Sequence, residues 1–392
     1  MGEMGEGFSV KPPFWTDVFA SRVEDLDVSG IRKLFEAADE DAIHLGIGEP
    51  HRQPPEHVKQ AYIEAVERGE NKYSPTAGLP ELRRGIAEAY EHRRPGLDAE
   101  NVAMTAGSTA ALYAALQALV EEGDEVLVPD PGFVLYPPHT ELAEGTPVTY
   151  PLRDEEGFQV DPEALAERVS PDTKAIVLCS PSNPTGVALD RETVDGVLEV
   201  AEDNDLWVLA DEAYDVFTYE HEHVSFLDQG YEKLAYFNTF SKRYAMTGWR
   251  LGFAVAPEPL AEKIRVVGYH MYAAPPTPAQ HAALAALEGP DDHTQMMREE
   301  LQERRDVVVE ECDRIDGLEL VEPDGAIYAF PRFDAAISSM DLSVKLLEAG
   351  VVVVPGSAFG SNGEDHLRLS FATDPNDIRQ GLQLVEKVLD GV

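Results

Sequence analysis

The sequence predicts an α/β protein, with a mostly parallel sheet covered by helices over the middle of the chain and a smaller α+β domain after it. Three observations carry this reading. Short, nearly continuous apolar runs recur from about residue 100, which suits strands covered on both faces. Helical patterns lie between several of them, and strands alternating with helices build parallel sheets. Beyond Pro290 the texture changes to one long charged amphipathic segment followed by shorter strands and helices. A length of 392 residues accommodates two or three domains and a large core without disulfides or metals.

In chain order, residues 1–30 read as irregular. The apolar patch Pro12-Pro13-Phe14-Trp15 within them fits either an arm packed on another subunit or a loosely ordered terminus. Val102 to Thr105 is a short strand, broken by Gly107 and Ser108. Thr109 to Val120, rich in Ala and Leu, is a helix. Gly123-Asp124 turns the chain into a strand at Glu125 to Val128. Further strands are expected at Ala175 to Leu178, Leu206 to Ala210, Leu234 to Phe237 and Leu251 to Ala256, with a helix at Arg191 to Asp203. A long helix follows at Thr294 to Ile315. The last domain has strands at Gly325 to Phe330, Val351 to Val354 and Leu367 to Ser370, and helices at Ser343 to Glu348 and Asp377 to Leu389. The expected division is an N-terminal arm with part of the small domain at 1–45, a large domain at 46–290 and a small domain at 291–392.

The charge balance narrows the function classes. Lys plus Arg number 31 and Asp plus Glu 73, a formal charge of −42. Such a field repels nucleic acid and anionic membrane surfaces. The acids are scattered, as at Glu121-Glu122, Asp154 to Glu156 and Asp291-Asp292. This implies a hydrated acidic surface like that of halophilic proteins, or an unusually acidic protein at ordinary salt. Cys179 and Cys312 stand outside any metal-ligand spacing, so no metal is expected, and two unpaired cysteines fit a reducing compartment. Glu3, Glu6 and Asp17 in the first twenty residues oppose a signal peptide. No apolar stretch approaches the ~20 residues of a membrane span. The protein reads as cytoplasmic.

In open α/β sheets ligands bind at the carboxyl ends of strands, so the residues there matter most. Gly107-Ser108-Thr109 opens a helix, where free N–H groups and the helix dipole favour an anion, although a simple Ser or Thr cap fits as well. Phe133 can cover a planar ring or fill core space. In Ser180-Pro181-Ser182-Asn183-Pro184-Thr185-Gly186 the asparagine is held rigidly, as an amide donor to a ligand or as a turn residue. Asp211 ends a hydrophobic strand, where its charge asks for a cation such as a protonated pyridine nitrogen, or where it caps a helix. Tyr214 could donate to a phenolate oxygen. In Thr239-Phe240-Ser241-Lys242 the lysine can form a Schiff base when desolvated. Thr239, Ser241 and Arg250 can hold a phosphate. Read otherwise, Lys242 is a surface residue and Arg250 an ion-pair partner. Arg368 sits in an apolar strand, either facing inward to a carboxylate or outward to water. Together these groups describe one ligand, pyridoxal 5′-phosphate.

The segments Gly46 to Pro50, Tyr73 to Gly78, Asn183 to Gly186, Asp211 to Tyr214, Ser241-Lys242 with Met246 to Arg250, Val354 to Gly360 and Arg368 to Ser370 stand in the order of one family. The chain resembles the fold-type I, class I/II aminotransferases, and within them the archaeal and bacterial aspartate and aromatic enzymes, over almost its whole length after the arm. The resemblance implies a seven-stranded sheet and a homodimer with shared sites. It implies that Lys242 holds the cofactor and shuttles a proton between Cα and C4′, and that Asp211 keeps the ring nitrogen protonated. Asn183 and Tyr214 would bind the phenolic oxygen and Phe133 would stack on the ring. Gly107, Ser108, Thr109, Thr239, Ser241 and Arg250 would surround the phosphate, with Tyr73 reaching the neighbouring subunit's. Arg368 would grip the substrate α-carboxylate in a pocket lined by Gly48, Phe133 and Asn183. The chain departs from the family at His51-Arg52-Gln53-Pro54-Pro55, near the substrate entrance in relatives.

The implied activity is amino transfer between an L-amino acid, aspartate favoured, and a 2-oxo acid such as 2-oxoglutarate. Aromatic or alanine-type donors and β-elimination on the same scaffold are the alternatives. A nicotinamide-dependent dehydrogenase is excluded, since no Gly-x-Gly-x-x-Gly follows a strand at a helix start.

Overall fold

The computed structural model describes residues 20–24, 26, 39 and 41–392; the Pro12 to Trp15 patch lies outside them. After a short strand β1 (Ile43–His44), the chain forms seven strands of one sheet. These are β2 (Val102–Thr105), β3 (Glu125–Asp130), β4 (Thr146–Pro151), β5 (Thr173–Cys179), β6 (Trp207–Asp211), β7 (Leu234–Thr239) and β8 (Gly252–Val255). Their order is β2-β8-β7-β6-β5-β3-β4. Only β8 runs against its neighbours. The carboxyl ends of β2 to β7 therefore share one edge of the sheet, and β8 begins there.

Alternate residues of each strand feed two cores. Met104, Leu127, Ile176, Val208 and Tyr236 enter one. Ala103, Val126, Val177, Leu209 and Phe237 enter the other. This two-sided burial is why the strands read as unbroken apolar runs. The exception is β4, which the apolar pattern does not announce. It is an edge strand paired only with β3, it is half-exposed, and it tolerates Pro147 and Pro151 for that reason.

The C-terminal part has its own core, built from residues such as Leu301, Tyr328, Leu346, Val351, Leu369 and Leu382. Its long helix spans Asp292–Cys312, two residues earlier than expected at its start and three at its end. The short strands here are β9 (Leu318–Glu319), β10 (Tyr328–Ala329), β11 (Arg332–Phe333), β12 (Val351–Val352), β13 (Val354–Pro355) and β14 (Leu367–Ser370). The expected strand from Gly325 is confined to β10, because Ala326 adopts a φ of 52° and its N–H bonds to the Phe217 carbonyl. The helix expected from Ser343 starts at Ser339, where the Ser338 hydroxyl accepts from the Asp341 N–H. Strand β14 lies between β10 and β13 in a three-stranded antiparallel sheet. The short β1 pairs parallel with β12, so residues 43–44 belong beside the C-terminal segment. Among the described residues no helix is long and apolar enough to cross a membrane.

Candidate active site

A cavity of about 380 Å³ opens at the carboxyl edge of the sheet. It is lined by Gly48, Gly107, Ser108, Thr109, Phe133, Asn183, Asp211, Tyr214, Thr239, Ser241, Lys242, Arg250 and Arg368. Every predicted site residue except Tyr73 is thus brought together. Tyr73 is 87% exposed and stands apart from the cavity.

The anion end is built by backbone. The helix Ser108–Leu119 is capped by Gly107 without any side-chain hydrogen bond, so its first N–H groups remain free for a ligand and the simple Ser or Thr cap does not apply. Gly107 has a φ of 92°, and a Cβ there would come within 2.7 Å of Arg250 Nη2. Gly252 is equally constrained: a Cβ would meet the Ser108 nitrogen at 2.5 Å. These two glycines let β8 and the Arg250 guanidinium close on the helix start. Arg250 precedes a strand rather than following one, and it reaches the site because β8 is reversed. Its Nη1 donates to the Thr247 carbonyl at 2.8 Å. Gly107→Ala is expected to weaken pyridoxal phosphate binding roughly 10-fold, since a left-handed residue with a Cβ costs about 1–2 kcal/mol and displaces Arg250. Equilibrium dialysis checks this, and unaltered affinity would contradict the cradle.

Thr239 caps the four-residue helix Phe240–Arg243 by accepting from the Ser241 N–H. That turn carries Lys242, whose Nζ donates to the Gly48 carbonyl at 2.6 Å and lies 5.6 Å from the Tyr214 ring centre. Lys242 is half-buried, not a surface residue.

Asp211 ends β6 and caps no helix. Its Oδ2 accepts from the Tyr136 hydroxyl at 3.0 Å, and its buried Oδ1 has no partner. Burial pushes its carboxyl up to about 6, against the pull of the Tyr136 hydroxyl and the Ala213 N–H. An orphaned carboxylate oxygen at the cavity wall suits a cationic ring nitrogen. Elsewhere in the cavity lining the Tyr214 and Tyr328 hydroxyls are 2.8 Å apart. Phe133 is half-buried on the cavity wall and meets the Tyr136 ring edge-on at 5.5 Å.

Arg368 faces inward. All four residues of β14 are buried, so no water-facing alternation operates there. Its guanidinium donates to Asn183 Oδ1 at 3.2 Å and to the Gly46 carbonyl at 2.5 Å. It packs between the rings of Tyr328 (4.6 Å) and Phe359 (5.1 Å). Its Nε has no partner, and burial lowers its pKa with no carboxylate acting on it. A buried fork with neutral acceptors only can take a carboxylate ligand.

Sequence reasoning missed Tyr136, Tyr328, Gly46 and Phe359. Tyr136 lies three residues after Phe133, a spacing that brings the two together at the start of a helix. Tyr328 is detectable only through the pairing of β10 with β14. The orphan oxygen, the cradle at Gly107 and the placement of Lys242 fit pyridoxal phosphate.

Comparison with known proteins agrees. The family model "Aminotransferase class I and II" matches residues 40–385. An aspartate aminotransferase of Pyrococcus horikoshii is 40% identical, over 95% of this chain and 97% of its own length. An aromatic-amino-acid aminotransferase of Thermococcus litoralis is 39% identical, over 94% of this chain and 98% of its own length. The solved aspartate aminotransferase of Thermus thermophilus with maleate superposes with a TM-score of 0.89 at 34% identity, covering 94% of this chain and 99% of that one. With a match of this extent, over a fold and a cavity of this kind, the chain belongs to the class I and II aminotransferases, enzymes that use pyridoxal phosphate to pass amino groups between amino acids and 2-oxo acids.

Proposed function

We propose that this enzyme moves the amino group of L-aspartate to 2-oxoglutarate, as a cytoplasmic homodimer with pyridoxal phosphate held on Lys242. One observation carries the reading. The Lys242 amine and the Arg368 fork are anchored to one short loop, through the carbonyls of Gly48 and Gly46. An α-amino acid whose carboxylate sits on Arg368 therefore brings its Cα towards Lys242.

The bound cofactor supplies an electron sink for the charge that develops at Cα. Lys242 would hold it covalently, and its freed amine would be the base that carries the substrate Cα proton. Asp211 would face the ring nitrogen through the unpartnered Oδ1 and favour the protonated form. Asn183 and Tyr214 would donate to the phenolic oxygen, and Phe133 would lie against the ring. The N–H groups and hydroxyls of Ser108 and Thr109, with Thr239, Ser241 and Arg250, would hold the phosphate. Arg368 would hold the substrate carboxylate and so orient Cα towards Lys242. Tyr73, exposed in the single chain, is assigned to the phosphate of the partner's site. The division into an arm at 1–45, a large domain at 46–290 and a small domain at 291–392 belongs to the same reading.

A second substrate reading has its own support. The cavity-lining cations are Lys242, Arg250 and Arg368, and all three are committed. No cation of the described cavity is left for a distal carboxylate, whereas Tyr328, Phe359 and Phe133 offer aromatic surface. Aspartate thus requires a cation from outside the described cavity; tyrosine or phenylalanine does not. A donor screen with 2-oxoglutarate, run in concentrated salt to suit the acidic surface, decides between them. Aspartate is expected to be used with the highest kcat/KM. A preference of about 10-fold or more for tyrosine would replace that reading with the aromatic one. Release of pyruvate and ammonia from a cysteine conjugate without amino exchange would point to elimination.

A further inference from the structure

Asp211 closes β6 with one carboxylate oxygen engaged and the other free. Oδ2 accepts from the Tyr136 hydroxyl at 3.0 Å, while Oδ1 takes no hydrogen bond. Tyr136 is itself fully buried, at the start of the helix Tyr136–Leu142. Its ring is fixed on one side by the edge-on contact with Phe133 and packs in the core on one face of the sheet. Its carbonyl accepts the Thr140 hydroxyl at 3.0 Å. The ring is locked in place, which aims the hydroxyl at Asp211.

We infer that Tyr136 is a positioning residue that keeps the Asp211 carboxylate ionised and turned, so that Oδ1 alone meets the ring nitrogen of the cofactor. This rests on the cofactor assignment proposed above. The groups facing Asp211 come from four elements. The Ala213 N–H and Lys242 favour its charge, and Glu212 opposes it. The Cys179 thiol is pushed by burial up to about 12 and stays neutral. Of the contacts that favour the anion, the Tyr136 hydroxyl is the strongest. The phenol is itself held well above its ordinary value by burial and by Asp211, so it remains a donor at every working pH. Without it, burial drives Asp211 towards the neutral acid, and the ring nitrogen loses its anionic partner.

Tyr136→Phe keeps the ring and its packing and removes only the donor. In the holoenzyme the variant is expected to bind pyridoxal phosphate roughly 10-fold more weakly, with kcat at pH 7 down about 10- to 100-fold and KM for the amino donor within about 2-fold. Because Asp211 then protonates at higher pH, the acid limb of the kcat profile moves up by about one pH unit, and activity recovers as the pH rises. The thermal midpoint of the cofactor-free protein stays within about 3 °C. In an Asp211→Asn background, adding Tyr136→Phe changes cofactor affinity and kcat by less than about 2-fold, since the donor acts through that carboxylate. An unshifted acid limb in Tyr136→Phe, or the full loss repeated in the Asp211→Asn background, overturns the inference. Borohydride fixation of pyridoxal phosphate to the wild-type chain at Lys242 separates the two levels. Fixation with an unaffected Tyr136→Phe variant defeats only the role of Tyr136; no fixation in the wild type defeats the cofactor reading on which it stands.

Discussion

Replacing Lys242 with alanine is expected to abolish transamination and to leave a folded protein. The structural cost is small. The side chain is half-buried, and its hydrogen bond to the Gly48 carbonyl is worth about 1 kcal/mol. The turn that carries it is held by the Thr239 cap and by Phe240, which is buried among aromatic rings, and neither depends on the lysine. The chemical cost is of a different order. In the proposed reaction the amine would be both the covalent anchor and the base beside Cα, and general base catalysis alone accounts for roughly 10²- to 10⁴-fold. Turnover is therefore expected to fall at least about 10⁴-fold, with the far-ultraviolet spectrum and melting midpoint unchanged within a few degrees. Borohydride followed by peptide mapping fixes the cofactor to the wild type at this position and not to the variant. Retention of the parental rate in Lys242→Ala, or fixation at another amine, refutes the assignment of this site.

Much of this was legible before any coordinates, for a physical reason. The residues that end strands β2, β3, β5, β6 and β7 face one shared edge, so reading the residues just after each apolar run collects Ser108, Phe133, Asn183, Asp211 and Lys242 without knowledge of the strand order. Arg250 is met by reading on past Lys242 to the start of the next strand, which is reversed and so begins at that edge. What pattern cannot reveal is mutual contact. Nothing local to Tyr136 says that its hydroxyl meets a carboxylate 75 positions along. The pairing of Tyr328 with Tyr214 spans 114 positions. Edge strand β4 is hidden for another reason: with one neighbour and partial exposure it needs neither apolar continuity nor freedom from proline. The loop at His51-Arg52, which departs from the family, proves to be tied down. His51 Nε2 and Arg52 Nε approach Glu300 Oε2 at 2.6 and 2.8 Å, and Arg52 chiefly, with His51, holds that carboxyl down at about 2. This joins the segment beside Gly48 and Glu49 to the long helix Asp292–Cys312.

Arg368 separates function from stability more sharply than any other residue of the site. It is a guanidinium 6% exposed, without a carboxylate partner among the described residues, and with an unsatisfied Nε. A buried charge in that condition is a cost to folding, which a well-packed apolar side chain of similar volume removes. Arg368→Leu is accordingly expected to match or exceed the wild type in melting midpoint. The same change removes the fork that a substrate carboxylate would meet, and kcat/KM is expected to fall roughly 10³-fold. The α-carboxylate is common to amino donor and 2-oxo acid acceptor, so both half-reactions should suffer alike when measured as single turnovers. Arg368→Lys restores charge but not the planar fork, and should recover only part of the loss. Discrimination between an amino acid and the amine lacking its carboxylate should shrink towards unity in Arg368→Leu, because the wild type alone has a partner for that group. A variant that keeps wild-type KM for both substrates, or that still rejects the amine, would show that the carboxylate binds elsewhere and that this arginine serves only the packing between Tyr328 and Phe359.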